Sequence, residues 1–290
     1  MPQTGWTLTG PDRRFEFAEA VRPCLELDAV RNTVILSDIA RLTAGVSEPR
    51  AEDCYGWWTD EDGRIRAAVC AAFAHAVSLS AKMPEQAAAD LPRAWLDSGR
   101  ARPVSIFGPL QVAERIAADW AKLTGGTYRA LPRLSMRLFS FDAPTPPVPA
   151  PHGDARLATL DEVPLAVRWD LAFLEECGIA TNDDSEPLVR ARIEDGRQLM
   201  WTVDGAPVAQ ASHTPVIAGA ARIVGVYTPP EHRRKGYAAG LTWALTHHAL
   251  AAGAERVLLH TDLSNPTSNG VYQRLGYRPV HDATEFELCG

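Results

Sequence analysis

The segment ARIVGVYTPPEHRRKGYAAG, Ala221 to Gly240, joins an apolar run to a cationic turn, and a second apolar run, LTWALTHHAL, follows directly. The first run has the length and β-branched content of a buried strand, and the second has the length of a helix. A strand that enters a helix through a glycine-containing turn leaves the first N–H groups of the helix unpaired, at the positive end of its dipole. The turn therefore fits a phosphate or pyrophosphate, although taken alone it fits a solvated loop equally well.

The charge of the whole chain does not explain this cationic turn. The 290 residues include 29 Lys and Arg against 36 Asp and Glu, a formal net charge of -7, which argues against a general nucleic-acid-binding protein. We find no stretch near the roughly 18 unbroken apolar residues of a spanning helix and no signal-peptide core, so we expect no membrane partner and a cytoplasmic location. The five cysteines have no paired short spacing, which favours reduced thiols over disulfides or a metal site.

A proline-rich segment, APTPPVPAPH at residues 143–152, has the composition of a semi-rigid linker. We therefore predict one domain at residues 1–142, the linker at 143–152 and a second domain at 153–290. In the first domain we expect helices at 15–27, 33–44, 84–98 and 110–124, and strands at 55–58, 64–73, 76–81, 104–107 and 134–141. In the second we expect strands at 155–159, 198–203, 208–213, 222–227, 256–261, 277–281 and 285–288, and helices at 163–176, 185–194, 236–252 and 266–275. Both domains are mixed α/β and end in the order strand, helix, strand, helix, strand, which predicts a tandem repeat of one fold.

The turn also matches a known pattern, because Arg233-x-x-Gly236-x-Ala238 after a strand resembles the R/Q-x-x-G-x-G/A motif of the GNAT superfamily of N-acetyltransferases. In that family the motif precedes a helix, a strand and a second helix that carries an Asn near its start and a Tyr within it. The segment VLLHTDLSNPTSNGVYQRLGY supplies these parts in order, with Asn265, Tyr272 and the Gly276-Tyr277 pair. The resemblance covers residues 154–288. It implies an α/β (α+β) chain of tandem acyl-CoA N-acyltransferase-like domains, each a mixed, mostly antiparallel sheet flanked by helices.

The resemblance further implies acetyl-CoA as co-substrate, held where the fourth and fifth strands separate. The pantetheine arm would pair with strand backbone, and the pyrophosphate would lie on the amides of the turn. Tyr272 matches the residue that commonly protonates the departing thiolate. The expected cofactor-binding residues are Val226, Tyr227, Thr228, Arg233, Arg234, Lys235, Gly236, Tyr237, Ala238, Ala239, Asn265 and Tyr272, and no metal is expected.

The general base is harder to place. The family often uses a Glu in the fourth strand, but Ile223, Val224 and Gly225 offer no carboxylate there. We predict His213 as the catalytic base, although a buried structural histidine fits the same position. The other candidates are Glu175, Glu176, His260 and Asp262, each of which also fits an ordinary surface or structural role.

The first domain lacks the motif, since Met83-Pro84-Glu85 stands where the phosphate turn would be and Glu85 would repel an anion. We therefore expect a degenerate acetyltransferase-like domain. The predicted activity is acetyl-CoA-dependent N-acetylation of a primary amine of a small molecule by direct attack on the thioester. Two alternatives remain open, namely acetylation of a cysteinyl amine as in the tandem mycothiol synthases, and a non-catalytic CoA-binding sensor or scaffold. The acceptor and the oligomeric state are not predicted.

Overall fold

The computed structural model describes residues 4–46, 48–72, 76–179 and 185–290. Its packing divides the chain into two units, Met1–Arg137 with His281–Gly290 and Leu138–Val280. The last ten residues thus pack in the first unit, whereas the predicted domains place them in the second. Among the described helices, none is long and apolar enough to cross a membrane.

The regular elements follow the predicted order with two differences. The strands are β1 (Gly5–Thr9), β2 (Cys54–Thr59), β3 (Ile65–Ala71), β4 (Val77–Leu79), β5 (Ser105–Pro109), β6 (Arg129–Phe141), β7 (Asp154–Leu157), β8 (Gln198–Val203), β9 (Ala206–His213), β10 (Ala220–Tyr227), β11 (Arg256–Asp262) and β12 (Tyr277–Cys289). The helices are α1 (Arg14–Glu26), α2 (Thr33–Ala44), α3 (Glu85–Asp97), α4 (Leu110–Leu123), α5 (Val163–Glu176), α6 (Ser185–Glu194), α7 (Tyr237–Ala251) and α8 (Pro266–Arg274). Strand β1 was not predicted, and Phe73, the predicted end of β3, lies outside the described residues.

The second difference is the final strand. The sequence predicts two strands at 277–281 and 285–288, which is wrong, because β12 runs unbroken from Tyr277 to Cys289. Asp282, a poor strand former that suggests a break, accepts two hydrogen bonds from Arg137 at 2.6 and 2.8 Å. The ion pair with Arg137 offsets the cost of placing the Asp282 carboxylate in a strand, so the strand continues through this residue.

In the first unit, strands β1 to β4 are antiparallel neighbours in chain order, and β5 is parallel to β4. Residues 283–287 of β12 pair antiparallel with β5. Phe286 and Leu288 lie in the same apolar core as Trp95 and Trp120 of helices α3 and α4. The end of the chain is therefore part of the core of the first unit.

In the second unit, strands β7 to β10 are antiparallel neighbours in chain order, and β11 is parallel to β10. Helix α7 covers one face of this sheet with Tyr237, Leu241, Leu245 and Ala249, which recur every four residues. Helices α5 and α6 cover the other face around Met200. The sheet is thus mixed, mostly antiparallel and flanked by helices on both sides, as predicted.

A bulge interrupts β10 near its end. Val224 pairs with Ser212 and Tyr227 with Gln210, so β10 carries one more residue than β9 between these pairs. Gly225 supplies the left-handed conformation of this bulge at φ +61°. On the other side, the pairing of β10 with β11 ends at Ile223 and Leu259, although the strands continue to Tyr227 and Asp262. The fourth and fifth strands of this unit therefore separate where β10 bulges.

Candidate functional site

The turn after β10 presents unpaired backbone N–H groups. A short 3-10 helix at Pro230–His232 precedes it, and α7 begins at Tyr237. Arg234 and Gly236 adopt left-handed conformations at φ +63° and +82°. Within the described residues, the amides of 234–238 donate to no protein acceptor, and the first helical bonds run from Ala239 and Gly240 to the carbonyl of Gly236 at 3.0 and 3.1 Å. Consecutive free amides at a helix start form the concave donor set that binds anions.

The two glycines of the turn serve different purposes. Gly236 needs its conformation, because a side chain at φ +82° is strained and its Cβ would lie 3.4 Å from Pro151. Gly240 needs its small size, because a Cβ there would lie 2.6 Å from Pro151 and 2.7 Å from the ring of Trp201. Only Gly236 thus shapes the open turn, whereas Gly240 lets the end of the proline-rich segment pack against α7.

The three cationic residues of the turn do not share one environment. Arg234 and Lys235 are exposed, and neither forms a salt bridge within the described part of the chain. Arg233 donates to both carboxylate oxygens of Glu176, at 2.6 and 2.7 Å, and through Nε to the carbonyl oxygen of Thr228 at 2.8 Å. Two cations therefore remain available to a bound anion, and the third is paired.

Residues 226–228 form the end of the separated strand. Val226 packs against the core under α7, whereas Tyr227 is buried and its hydroxyl donates to Glu176 at 3.3 Å. Burial raises the pKa of Tyr227, and the Glu176 carboxylate raises it further. Because the recorded pairing with β11 has already ended, the β11-facing edge of these residues is open to an extended ligand.

Tyr272 lies on α8, half-buried against the core of the second unit, with its ring 6.2 Å from that of Tyr277. Burial raises the pKa of Tyr272 to about 12, with a smaller contribution from Cys177. The hydroxyl is therefore protonated at neutral pH. Cys177 caps the C-terminus of α5 directly after Glu176, so Tyr272 and the Arg233–Glu176 pair both lie near the end of this helix.

Asn265 has a local structural role. It is the N-cap of α8, and its side-chain oxygen accepts a hydrogen bond from the amide of Ser268 at 3.1 Å. Its backbone carbonyl also accepts from the side chain of Asn269 at 2.8 Å. The predicted contact to a pantetheine arm would have to come from the side-chain NH₂ group.

The surroundings of His213 do not favour a general base. The side chain is 2% exposed, and its ring nitrogens lie 2.8 Å from the carbonyl of Thr214 and 3.2 Å from Nδ1 of His248. His248 is eleven residues beyond Tyr237 on α7, about 16 Å along the helix from the open turn. His213 is thus buried, and both of its ring nitrogens already have hydrogen-bond partners.

The other predicted base candidates lie closer to the end of α5 and β11. Glu176 is paired with Arg233, and Glu175 is exposed on the same helix. Asp262 ends β11 and accepts from the amide of Ser264 at 2.7 Å. His260 is half-buried, one residue after Leu259, where the pairing of β11 with β10 ends.

Sequence reasoning missed one carboxylate, Asp170 of α5. It is 7% exposed, accepts from Arg192 of α6 at 3.0 Å, and lies 3.7 Å from the position a Cβ would take on Gly225 of the bulge. A signal was present, because Asp170 follows the buried Val163 and Ala166 at spacings of seven and four, within the apolar stripe of the helix. A carboxylate in such a stripe is a candidate functional residue.

The corresponding region of the first unit is closed. Strands β4 and β5 are parallel there, and Leu79 packs so closely on Gly108 that a Cβ on Gly108 would lie 2.8 Å from that of Leu79. The amide of Ala81 is satisfied by the side-chain oxygen of Asn32 at 2.7 Å, and Glu85 occupies the first turn of α3. Among the described residues of this unit, we find no turn like that of 233–236, and a degenerate acetyltransferase-like domain stays a prediction. In neither unit do the described His, Cys, Asp and Glu residues form a group of three suited to a metal ion.

Comparison with known proteins supports the family resemblance. Residues 166–277 match the family described as Acetyltransferase (GNAT) family. No curated protein sequence matches the chain.

Solved structures similar to the whole chain give the fold. A GCN5-related N-acetyltransferase from Sphaerobacter thermophilus has a TM-score of 0.61 and 17% identity, over 97% of this chain and 94% of that one. A tandem GNAT protein from the clavulanic acid biosynthesis pathway has a TM-score of 0.59 and 14% identity, over 99% of this chain and 98% of that one. A Drosophila protein has a TM-score of 0.63 and 11% identity, over 99% of both chains. The predicted resemblance and the tandem fold class are confirmed.

The environment of His213 predicts a pH-dependent stability. Burial lowers the pKa of His213, with contributions in the same direction from His248 and Arg197. Below the unfolded-state pKa of about 6.5 the unfolded chain therefore binds a proton that the native state excludes, so this stability is present above that pH and lost as pH falls. We expect His213→Gln to flatten the fall of the unfolding free energy below pH 6.5, by up to about 1.4 kcal/mol per pH unit, in denaturant titrations.

His152→Gln is the matched control, since that side chain is 76% exposed. We expect it to retain the wild-type pH dependence. A His213→Gln variant with an unchanged slope would contradict the assignment of His213 as a neutral core histidine.

Proposed function

We propose that this chain, in which residues 166–277 belong to the acetyltransferase (GNAT) family, transfers an acetyl group from acetyl-CoA to a primary amine of a small molecule. One observation carries the proposal, namely the free amides at 234–238 beside the point where β10 and β11 separate. The first feature fits a diphosphate and the second fits an extended amide-containing arm. Both chemical groups occur in CoA.

The residues present fit this ligand. The backbone edge of Val226, Tyr227 and Thr228 would pair with the pantetheine arm, since β11 leaves it free. The free amides of 234–238 would hold the pyrophosphate, with Arg234 and Lys235 supplying the charge, whereas the predicted amide of Ala239 already donates to the carbonyl of Gly236. No carboxylate of the described structure occupies the first turn of α7, so the positive end of the helix dipole is not neutralised there.

Acetyl-CoA would supply a thioester whose carbonyl carbon is open to attack by a neutral amine, so that a C–N bond forms, the C–S bond breaks, CoA leaves as a thiolate, and the proton that the amine loses passes to solvent. Tyr272 is the proton donor in this proposal, because its hydroxyl is protonated at neutral pH and can give its proton to a thiolate that forms beside it. Nothing in the described structure accepts a hydrogen bond from this hydroxyl, so the proton is not already committed. The buried setting also strengthens any hydrogen bond to a developing anion.

Asp170 is the group we assign to the acceptor amine. Its carboxylate faces the bulge at Gly225, where the open edge of β10 begins, and Arg192 fixes its orientation from the other side. A fixed carboxylate can hold an amine by charge-assisted hydrogen bonds and aim its nitrogen at the carbonyl. The fourth strand lacks a carboxylate, and α5 would supply one in its place.

The direct test is turnover. Purified protein with acetyl-CoA and a panel of primary amines should release CoA and form an acetylated product, both detected by mass spectrometry. CoA binding without release for any amine would instead support the sensor alternative. An acceptor restricted to cysteinyl amines would support the mycothiol-synthase-like alternative.

For Tyr272→Phe we expect kcat to fall by about 10²- to 10⁴-fold, the range of a lost general acid, with nearly unchanged acetyl-CoA affinity. The ring is retained, so its packing against Tyr277 should survive. Steady-state kinetics and calorimetric titration with acetyl-CoA measure the two quantities. A fall of less than about tenfold would mean that the hydroxyl makes only an ordinary hydrogen bond.

For Asp170→Asn we expect kcat/KM for the acceptor to fall by about 10- to 100-fold, the range of a lost charge-assisted hydrogen bond, with unchanged acetyl-CoA affinity. Asp161→Asn is the matched control, because Asp161 precedes the same helix and is exposed. If kcat/KM were retained in a folded Asp170→Asn protein, the carboxylate would have no part in binding the amine.

A further inference from the structure

We propose that Arg233 is a positioning residue, which holds the open turn in its binding conformation through Glu176 and does not itself contact the diphosphate. This inference rests on the proposed function, since it concerns how the same site binds CoA. It assigns to the arginine of the motif, and to a glutamate 57 residues earlier in the chain, a joint role in cofactor affinity.

The guanidinium of Arg233 donates hydrogen bonds to two different partners. Nη2 donates to both oxygens of Glu176 at 2.6 and 2.7 Å, and Nε donates to the carbonyl of Thr228 at 2.8 Å. The guanidinium carbon also lies 5.8 Å from the centre of the Tyr227 ring. The side chain of Arg233 therefore links the end of α5, the end of β10 and the start of the turn.

The residue that follows explains why such an anchor matters. Arg234 is a non-glycine residue at φ +63°, a strained conformation that costs free energy and persists where its surroundings enforce it. Gly236 adopts φ +82° without that cost. The anchored Arg233 immediately precedes the strained residue, so loss of the anchor would let Arg234 relax and would misalign the amides of 234–238.

The Arg233–Glu176 pair is too exposed to be explained by the stability of the whole fold. Its side chains are 42% and 46% exposed, and ion pairs of this kind contribute little to global stability. A local effect on the conformation of the turn is the role that remains for a guanidinium that donates through Nη2 to Glu176 and through Nε to Thr228.

A positioning role for Arg233 and a direct contact of Arg233 with the diphosphate predict opposite effects of removing Glu176 on CoA affinity. If Arg233 contacts the diphosphate, loss of Glu176 frees the guanidinium and removes a nearby negative charge, so CoA should bind more tightly. If Arg233 positions the turn, loss of Glu176 releases the anchor and CoA should bind more weakly.

The experiment is calorimetric titration of CoA into the full-length chain and its variants. We expect Glu176→Ala and Arg233→Ala each to weaken CoA binding by about tenfold and the double variant to bind no more weakly than Arg233→Ala, since partners in one interaction are not additive. Arg233→Lys should also weaken binding, because an ammonium keeps the charge but cannot donate to Glu176 and to Thr228 at the same time, as Nη2 and Nε do. Glu231→Ala is the matched control for charge, since Glu231 is exposed two residues before Arg233 and should give wild-type or slightly tighter binding.

Several results would overturn the proposal. These are tighter or unchanged CoA binding by Glu176→Ala, additive losses in the double variant, or wild-type affinity in Arg233→Lys. Denaturant unfolding of each variant shows that the fold is retained, as expected for exposed positions. Absence of CoA binding to the wild-type chain would instead contradict the proposed function itself, so the two failures are distinguishable.

Discussion

The separation of β10 from β11 after the Ile223–Leu259 pair is the constraint on which the rest of the site depends. The bulge at Gly225 adds a residue to β10, and a glycine allows the left-handed conformation that this requires. Past the bulge, the β11-facing edge of β10 has ended its pairing, so its backbone groups can pair with water or with an extended ligand. The open edge leads directly into a turn with free amides, so two sets of unpaired backbone groups are continuous along one stretch of chain.

Contacts at the end of α5 link this stretch of chain to the residues with proposed roles in acetyl transfer. Glu176 pairs with Arg233 of the turn, and the next residue, Cys177, lies close enough to Tyr272 to affect its pKa. One turn and a half earlier on the same helix, Asp170 faces the bulge. Helix α5 therefore carries groups near the turn, near Tyr272, which is the proposed proton donor, and near the open strand. A displacement of this helix would alter cofactor binding and acceptor binding together.

Much of the candidate site could be predicted from the sequence, because the residues that indicate it lie close together in the chain. Gly236 after an apolar strand and before an apolar helix marks the turn, and the order of Asn265, Tyr272 and Gly276 indicates the elements that follow it. What could not be predicted depends on contacts between distant residues. The partner of Arg233 lies 57 residues away, the last ten residues pack in the first unit, and His213 is fixed by His248 of α7. Local patterns cannot indicate which side chains meet across a sheet.

The central claim is that the free amides of the turn are the anchor for CoA, and hydrogen exchange measures those amides directly. In the free chain the amides of 234–238 have no protein acceptor in the described structure and should exchange rapidly. Saturating CoA should slow their exchange, together with that of residues 226–228, and should leave the corresponding residues 80–84 of the first unit unchanged. Unaltered exchange at 234–238 in the presence of bound CoA would contradict the account.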